Sequence, residues 1–306
     1  MIEVQLRQHL LQQEALSPFL ATYAGDMAIF NQEAPADNDS GWGDGSQYGR
    51  IVFYIDMQDD PQRNISGTMG VDIYCESGTE QVPEAIEPIL RSLIDGYFFS
   101  NESVTIAAQW RSTQYFTEPT KNVVGATLVF NLLDFPTQQT TDPDPIALFN
   151  DWTEHDLPEI IGVKRIRVIG KDKLPVAWKP SNDYPALYWR IGEIRNCVWI
   201  PETYQCTWET AVIWGHIMAS DSAAATRIAR LIQNTLITKR RLIFDDMAPL
   251  MIDRNINVTP ANDPLRIGLI NLEGTYGILN PKPPTLPLAY ITVERKENSN
   301  GNISKS

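Results

Sequence analysis

The sequence predicts an α+β fold built from two tandem similar modules, each a mostly antiparallel sheet packed by two helices. The chain has 306 residues, a length typical of two domains. Hydrophobic residues make up 43% of it and charged residues 21%, so each half has enough apolar surface for a core. The predicted order helix, strand, long loop, hairpin, helix, hairpin occurs twice, which indicates duplication of one module.

The first half begins with an amphipathic helix at about 2–14, followed by a short strand at 26–30. Residues 33–48 are acidic, rich in glycine and aperiodic, so they predict a long mobile loop. The other elements predicted in this half are strands at 50–56 and 67–75, a helix at 83–97, and strands at about 104–115 and 122–133.

The second half begins with a polar, proline-rich linker at 136–145 that leads into a helix. Residues 164–169 predict a strand, and residues 170–186 predict a loop. Asp221 is a suitable N-cap for the helix that follows. The other strands predicted in this half are a hairpin at 186–194 and 206–217, and strands at about 248–258 and 264–272.

These elements divide the chain into a first module at 1–137, a second module at 143–280, and a proline-rich arm with a polar tail at 281–306. The arm contains a lone strand pattern at 289–294. A strand on a tether of this kind can add to a sheet edge of its own chain or of a neighbour.

The charge of the chain is unevenly distributed. Residues 1–140 contain 6 Lys and Arg against 19 Asp and Glu, whereas residues 141–306 contain 19 of each. The net charge of -13 therefore lies entirely in the first half. Phosphate contacts need Lys and Arg, so tight DNA binding by the first half is disfavoured. Two interpretations stay open, a solubilising surface and a surface that meets a basic partner.

The tryptophans are concentrated in the second half, which holds six of the eight. They suit anchors for protein contacts, because Trp is favoured at binding hot spots. The core of the module is the competing interpretation, since two of them share one strand at even spacing. The six are Trp152, Trp178, Trp189, Trp199, Trp208 and Trp214.

The sequence predicts no catalytic residue, no metal site and no cofactor, and therefore no enzyme. The three histidines, His9, His155 and His216, fall in different kinds of element. Zinc-ligand spacings, phosphate-binding glycine loops and the nucleophile elbow are absent from the sequence. The carboxylate pairs sit in predicted turns, where Asp supports the bend; they are Asp59 with Asp60, Asp142 with Asp144, and Asp245 with Asp246.

The N-terminal residues do not resemble a signal peptide, and no apolar run approaches the ~18 residues that cross a bilayer. We therefore expect a soluble chain that remains in the cytoplasm where it is made and has no membrane partner. Three cysteines are too few for a disulfide framework, and their number is odd.

The order of elements in the first half resembles a known family. A short helix with Val4, Leu6 and Leu10 precedes a weak strand and a long loop, and strands at 51–54 and 70–74 lead to a helix and a final hairpin. This order is similar to that of the tail terminator proteins of long-tailed bacteriophages, also called tail completion or head–tail joining proteins. The resemblance covers residues 1–135 best, and the second half follows it more loosely.

The resemblance implies a structural virion protein at the tail–neck junction, assembled in the host cytoplasm. Such a protein forms a homo-oligomeric ring, commonly a hexamer, that caps the tail tube and docks on the head–tail connector or neck protein. DNA passes through the ring without specific binding. The usual family member has one module, and in a contractile tail a second module would contact the tail sheath.

We expect the oligomer or partner interface to involve an aromatic and acidic set in the first half, a basic pair in the second half and the arm strand. These residues are Trp42, Asp44, Tyr48, Asp59, Asp60, Arg240, Arg241, Tyr290, Ile291 and Val293.

Two other functions stay open. A tail tube or head–tail connector subunit would have related strands and loops. A carbohydrate or small-ligand binding module would use the tryptophans of the second half to line its binding surface.

Overall fold

The computed structural model describes residues 2–58, 66–80, 82–101, 104–138, 142–198, 200 and 206–279 of the 306-residue chain. The structure is mixed α+β and mostly sheet, with five α-helices in this part of the chain. Among the helices described, none is both long enough and apolar enough to cross a membrane.

The first half contains two helices and eight strands among the residues described. In chain order they are α1 (Ile2–Leu11), β1 (Thr22–Tyr23), β2 (Asp26–Met27), β3 (Ile29–Asn31), β4 (Arg50–Met57), β5 (Gly67–Glu76), α2 (Pro83–Ile94), β6 (Phe98–Ser100), β7 (Thr105–Glu118) and β8 (Val123–Asp134).

The second half contains three helices and eight strands among the residues described. In chain order they are α3 (Pro145–His155), α4 (Leu157–Ile161), β9 (Arg167–Val168), β10 (Ala177–Trp178), β11 (Ala186–Asn196), β12 (Cys206–Met218), α5 (Ser222–Lys239), β13 (Arg241–Ile243), β14 (Pro249–Ile252), β15 (Asn257–Val258) and β16 (Ile270–Leu279).

Two large sheets share one strand order. The first sheet runs β10-β6-β7-β8-β5-β4-β3, and the second runs β13-β14-β16-β12-β11-β9 with β15 also on β16. In each, a short edge strand lies parallel to the first strand of a hairpin, β3 beside β4 and β9 beside β11. The second hairpin strand, β5 or β12, pairs antiparallel with the last strand of its half, β8 or β16. A helix, α2 or α5, connects that hairpin to the opposite edge.

Each connecting helix covers one face of its sheet with the same apolar spacing. In α2 the buried residues Ile86, Leu90 and Ile94 recur every fourth position, which places them on one side of the helix. The helix α5 repeats this spacing with Ile228, Ile232 and Leu236. These side chains form the two main cores, one under each sheet.

A third cluster of buried side chains, which we call the seam, joins the two sheets. Strand β10 belongs to the second half but pairs antiparallel with β6 of the first sheet. Trp178 of β10 stacks on Phe98 with ring centroids 4.5 Å apart, and its Nε1 donates to the Ser100 hydroxyl at 3.1 Å. Tyr188 donates its hydroxyl hydrogen to the carbonyl of Pro136 at 2.8 Å. The halves are therefore packed against each other through apolar and hydrogen-bonded contacts.

Two long strands extend beyond a short neighbouring strand and carry a β-bulge there. Strand β6 pairs with the first three residues of β7, and the β7 register shifts between Trp110 and Ser112. Strand β9 pairs with the first two residues of β11, and the β11 register shifts between Ile191 and Glu193. A bulge adds one unpaired residue and increases the local twist.

The predicted helices and central strands are present, with several boundary corrections. The helix predicted at 83–97 ends at Ile94, because Gly96 has a φ of +72° and the Asp95 side chain accepts a hydrogen bond from the Trp110 N–H at 2.8 Å. Within the strand predicted at 164–169, only Arg167–Val168 pairs with a neighbour.

Two strand predictions near the C-terminal end of the second sheet are wrong in extent. The segment 248–258 forms two strands interrupted by a turn, in which the Asp253 side chain accepts from the Asn255 N–H. The strand predicted at 264–272 lies instead at Ile270–Leu279. Residues 264–269 form a turn because the Asp263 side chain accepts from the Leu265 N–H and Gly268 has a φ of +91°.

Candidate interaction surfaces

The loop at 33–48 is anchored to the first sheet instead of being detached from it. Trp42, expected at an interface, is only 4% exposed. Its indole N–H donates to the Ala36 carbonyl at 2.9 Å, and its ring meets the rings of Tyr23 and Phe30 edge-on. The Trp42 side chain therefore stabilises the chain's own fold, and it is not an exposed anchor.

Arg50 fastens this loop from the first residue of β4. Its guanidinium lies 4.9 Å from the Tyr48 ring centroid and 5.6 Å from that of Tyr74. It also pairs with the Asp37 carboxylate at 2.7 Å. Tyr48, another expected interface residue, is thus half-buried under a cation, whereas Asp44 is exposed.

Five of the expected interface residues lie outside the described residues: Asp59, Asp60, Tyr290, Ile291 and Val293. Arg240 is a helix cap, since its backbone takes the left-handed conformation and its Nε donates to the Ile237 carbonyl at 2.8 Å. Arg241 is exposed at the start of β13. The structure thus brings Trp42 and Tyr48 together near Arg50, and it places the basic pair separately, in the other half.

The solvent side of α5 carries a patch that we call the basic face, formed by Arg227 and Arg230. Both are exposed, and among the described residues neither has a carboxylate within 4.0 Å. Arg241 lies in β13 next to Leu242, which is buried in the core under α5, so the Arg241 side chain points to the other face of the sheet. The segment 222–244 holds five cations and no acid. Lys239 is not counted in the basic face, because its charge is paired with Asp156 at 2.7 Å.

The equivalent helix of the first half lies beside a patch of opposite sign, which we call the acidic face. It comprises Glu76, Glu80 and Glu84, all exposed, and in the described part of the chain none is in an ion pair. Glu76 and Glu80 line the same depression. Burial raises the pKa of the Cys75 thiol to about 11, and the charge of Glu84 makes a smaller contribution. Glu84 therefore lies close to the end of β5 that carries Cys75 and Glu76.

The sheet faces that the helices leave uncovered carry half-exposed aromatic side chains. On the first sheet the ring of Tyr54 lies over Gly70, and the ring of Phe116 lies over Gly125; an added Cβ at either glycine would overlap the ring. On the second sheet Trp214 lies over Gly192, with the Arg190 guanidinium 5.5 Å from its ring. These rings lie flat on small residues and leave one side accessible.

The tryptophans of the second half serve mainly in packing. Trp152, Trp178 and Trp189 are buried, and the Trp189 indole donates to the Thr153 hydroxyl at 2.8 Å. Trp208 and Trp214 are half-buried, and Trp199 lies outside the described residues.

Two of the three histidines, His9 and His216, are held by hydrogen bonds in separate parts of the fold, and His155 is exposed. Buried His216 contacts the Pro264 carbonyl through Nδ1 at 2.8 Å and accepts from Arg190 Nε at 3.0 Å, which fixes the neutral tautomer with hydrogen on Nδ1. His9 lies half-buried beside Leu93, and burial holds its pKa below the ordinary value of 6.5. Within the residues that the structure describes, no group of three His, Cys, Asp or Glu is placed to hold a metal ion.

The acidic face was not predicted from the sequence, and of the five cations in 222–244 only Arg240 and Arg241 were predicted as interface residues. A signal for both was available, because residues 64–90 hold five acids and no cation, the reverse of residues 222–244. A comparison of the predicted equivalent helices by charge would have found them.

No protein-family model matches this chain, and a search of curated proteins found no relative.

Proposed function

We propose that this chain is a structural assembly protein, a tail terminator that forms a ring, caps the tail tube of a long-tailed bacteriophage and joins it to the head connector. The observation that carries the proposal is the shared strand order of the two sheets, each with its helix on one face. The first half has the element order on which the family resemblance rests.

Duplication of one α+β module is the first part of this proposal. Six strands occur in the same order in both sheets, with the parallel pair, the hairpin and the connecting helix at the same places. A chance match of so many elements in the same topological order is a less economical explanation than duplication. In this interpretation one module contacts the tube, and the other contacts the connector or the sheath.

The second part of the proposal is that the molecule acts by association. Among the described residues, each sheet has one face without a helix, and Tyr54, Phe116 and Trp214 lie there partly exposed on glycines. Rigid aromatic rings that lie flat on a surface suit protein contacts, since little conformational entropy is lost on binding. His9, His216 and the Asp95 and Asp263 carboxylates are used in hydrogen bonds to the chain's own backbone, which favours an assembly role over catalysis.

The proposal is tested by the mass and shape of the purified chain. We expect discrete rings in negative-stain images and a corresponding oligomer mass by light scattering after size-exclusion chromatography. Added to a tail tube subunit of the same virus, the protein should bind tube ends and stop elongation. A strictly monomeric chain that leaves tube growth unchanged would contradict the proposal.

The same measurement separates the competing functions. Growth of the chain alone into tubes of unlimited length would instead identify a tube subunit, because an open-ended contact repeats without closing. Titration of tryptophan fluorescence with a panel of sugars tests the ligand-binding alternative, for which half-buried Trp208 and Trp214 remain as candidates. We expect no change in that fluorescence.

A further inference from the structure

We propose that a depression beside the start of α3 binds a linear polyamine, an aliphatic chain that carries two or more ammonium groups. Two of the carboxylate pairs noted in the sequence line this depression, Asp142 with Asp144 and Asp245 with Asp246. The site uses none of the residues of the two charged faces, and it does not depend on the proposed function.

The fold brings these two pairs together from distant parts of the sequence. Asp142 and Asp144 precede α3, whereas Asp245 and Asp246 follow β13, and all four line one depression of about 370 Å³. This volume lies within the range of about 300–1,000 Å³ that is usual for small-ligand sites. The sequence placed each pair in a turn of its own and did not indicate that they share a surface.

The turns use only two of the four carboxylates. Asp144 accepts from two N–H groups in the first turn of α3, and Asp246 accepts from the Ala248 N–H at 2.9 Å. Asp142 and Asp245 are exposed, and among the described residues neither is in a hydrogen bond or an ion pair. The charges of these two carboxylates are therefore available to a ligand.

Apolar side chains share the depression with the carboxylates. Pro143, Leu148 and Phe244 line it, and Phe244 is only 8% exposed. An aliphatic chain gains free energy by covering such a surface, while its ammonium groups stay in contact with the carboxylates and with water. The depression thus combines the two kinds of contact that a polyamine needs.

A second depression adjoins the first and contains a buried amide without a partner. It has a volume of about 230 Å³ and shares Asp144, Ala147 and Asp151 with the first depression. Asn150 lines it, is 9% exposed, and has no hydrogen-bond partner for its Oδ1 in the described part of the chain. Buried acceptors are normally paired, and an ammonium group is a donor only. Asn150 therefore points to a donor-bearing ligand independently of the carboxylates.

The balance of charge favours a cation whose charges are separated. Five carboxylates line the two depressions, and among the described lining residues Lys171 is the one cation, paired with Asp151 and Glu154. The N-terminal end of α3 adds a partial positive charge of about half a unit, which does not offset the other carboxylates. Within the described residues no three acidic or histidine side chains are placed to hold a metal ion. Dispersed carboxylates match ammonium groups joined by methylenes better than they match one divalent cation.

Isothermal titration calorimetry of the full-length chain with spermidine tests the proposal. We expect saturable binding at one site, with affinity that rises from a diamine to a triamine and falls as NaCl screens the charges. The double variant Asp142→Asn with Asp245→Asn should bind spermidine at least about tenfold more weakly, because charge-assisted hydrogen bonds are strong. Asn150→Leu should weaken binding by about two- to tenfold, since one hydrogen bond is lost.

The controls separate the site from general attraction and from folding. Asp44→Asn with Asp183→Asn changes the net charge by the same amount at exposed positions outside both depressions, and should leave the affinity unchanged. Asn150→Leu removes an unsatisfied carbonyl, so it should not lower the melting temperature of the free chain. Asp142 and Asp245 are exposed, so their variants keep the test valid even if Asn150→Leu does not fold.

The contrary outcomes are distinct. Absence of saturable binding, or equal weakening in the two double variants, would overturn the proposal, because an acidic chain attracts polycations over its whole surface. Displacement of spermidine by Mg²⁺ at equal ionic strength would overturn it in favour of a metal site. An oligolysine peptide that binds through Asp142 and Asp245 while spermidine does not would assign the depression to a basic segment of a partner protein. An unaffected Asn150→Leu variant would overturn the part that Asn150 has in the site.

Discussion

Helices α2 and α5 occupy the same place in the two sheets, yet only their buried sides are alike. Both place an aliphatic side chain against the sheet at every fourth position, Ile86, Leu90 and Ile94 in one and Ile228, Ile232 and Leu236 in the other. Their solvent sides differ in charge, because α5 carries Arg227 and Arg230, whereas α2 carries one exposed acid, Glu84, and the part-exposed Arg91. The core limits what the inner side can be, because packing density leaves little tolerance for change. The outer side is constrained only by contact with solvent or with a binding partner.

The seam fixes the two halves to each other, and breaking it should have the largest effect. Trp178→Ala removes a buried indole that stacks on Phe98 and donates to Ser100. We expect a loss of about 3–5 kcal/mol in the free energy of unfolding, since large aromatic truncations leave a cavity. Urea denaturation followed by circular dichroism measures it.

The control for the seam is Trp214→Ala, which truncates the same residue type on the uncovered face of the second sheet. Trp214 is half-buried and belongs to none of the three core clusters, so its loss should be clearly smaller. Equal losses in the two variants would show that the seam adds nothing beyond ordinary burial.

Matched glycines in the equivalent strands β5 and β12 sharpen the comparison. An alanine methyl at Gly215 would overlap Trp189, which is buried and tied to Thr153 by a hydrogen bond. We expect Gly215→Ala to lower the free energy of unfolding by about 1–3 kcal/mol, the usual effect of overpacking. Thermal melting with calorimetry provides the measurement.

The partner variant is Gly70→Ala in β5. Its methyl group would meet the ring of Tyr54, which is 44% exposed and free to swing toward solvent. The loss should be well below that of Gly215→Ala. If Gly70→Ala proved the more damaging of the two, the uncovered face of the first sheet would be more rigid than its exposure indicates.

The first helices of the two halves differ in their histidines, and pH provides the smallest test. Burial lowers the pKa of His9 below 6.5, partly offset by its hydrogen bond to the Leu93 carbonyl, whereas His155 is exposed. Below about pH 6.5 the unfolded chain binds the proton more readily, so the His9 contribution to stability is complete above that pH and is lost as pH falls.

Replacing His9 by Gln should flatten the fall in the free energy of unfolding between pH 7 and pH 5, measured by urea denaturation at each pH. An unchanged slope in the His9 variant would contradict the assignment.

Periodicity in the sequence was sufficient to predict the central strands and the packing helices. The apolar spacing in α2 and α5 and the N-cap at Asp221 have local causes, and both are observed. The short strands β6, β10 and β13 were not predicted. Each has three residues or fewer, and β10 pairs with a strand from the other half, so its pairing depends on contacts distant in sequence.

Among the candidate interface residues, exposure could not be read from residue type alone. Trp42 stands among glycines and acids, which suggested an exposed aromatic, yet Ala36, Tyr23 and Phe30 bury it. The loop folds back because Arg50, two residues after its end, provides a cation for Tyr48. The strand that begins at Arg50 was predicted, but periodicity does not specify which rings and carboxylates its first side chain contacts.

The two β-bulges have a consequence for how large any assembly of this chain can become. At Trp110 in β7 and Ile191 in β11, the twist changes close to where the short neighbour strand stops. A flat, straight edge there would recruit strands from other molecules without limit, as in amyloid fibrils. A twisted edge resists that recruitment. The bulges thereby protect β7 and β11 from open-ended strand pairing with other molecules.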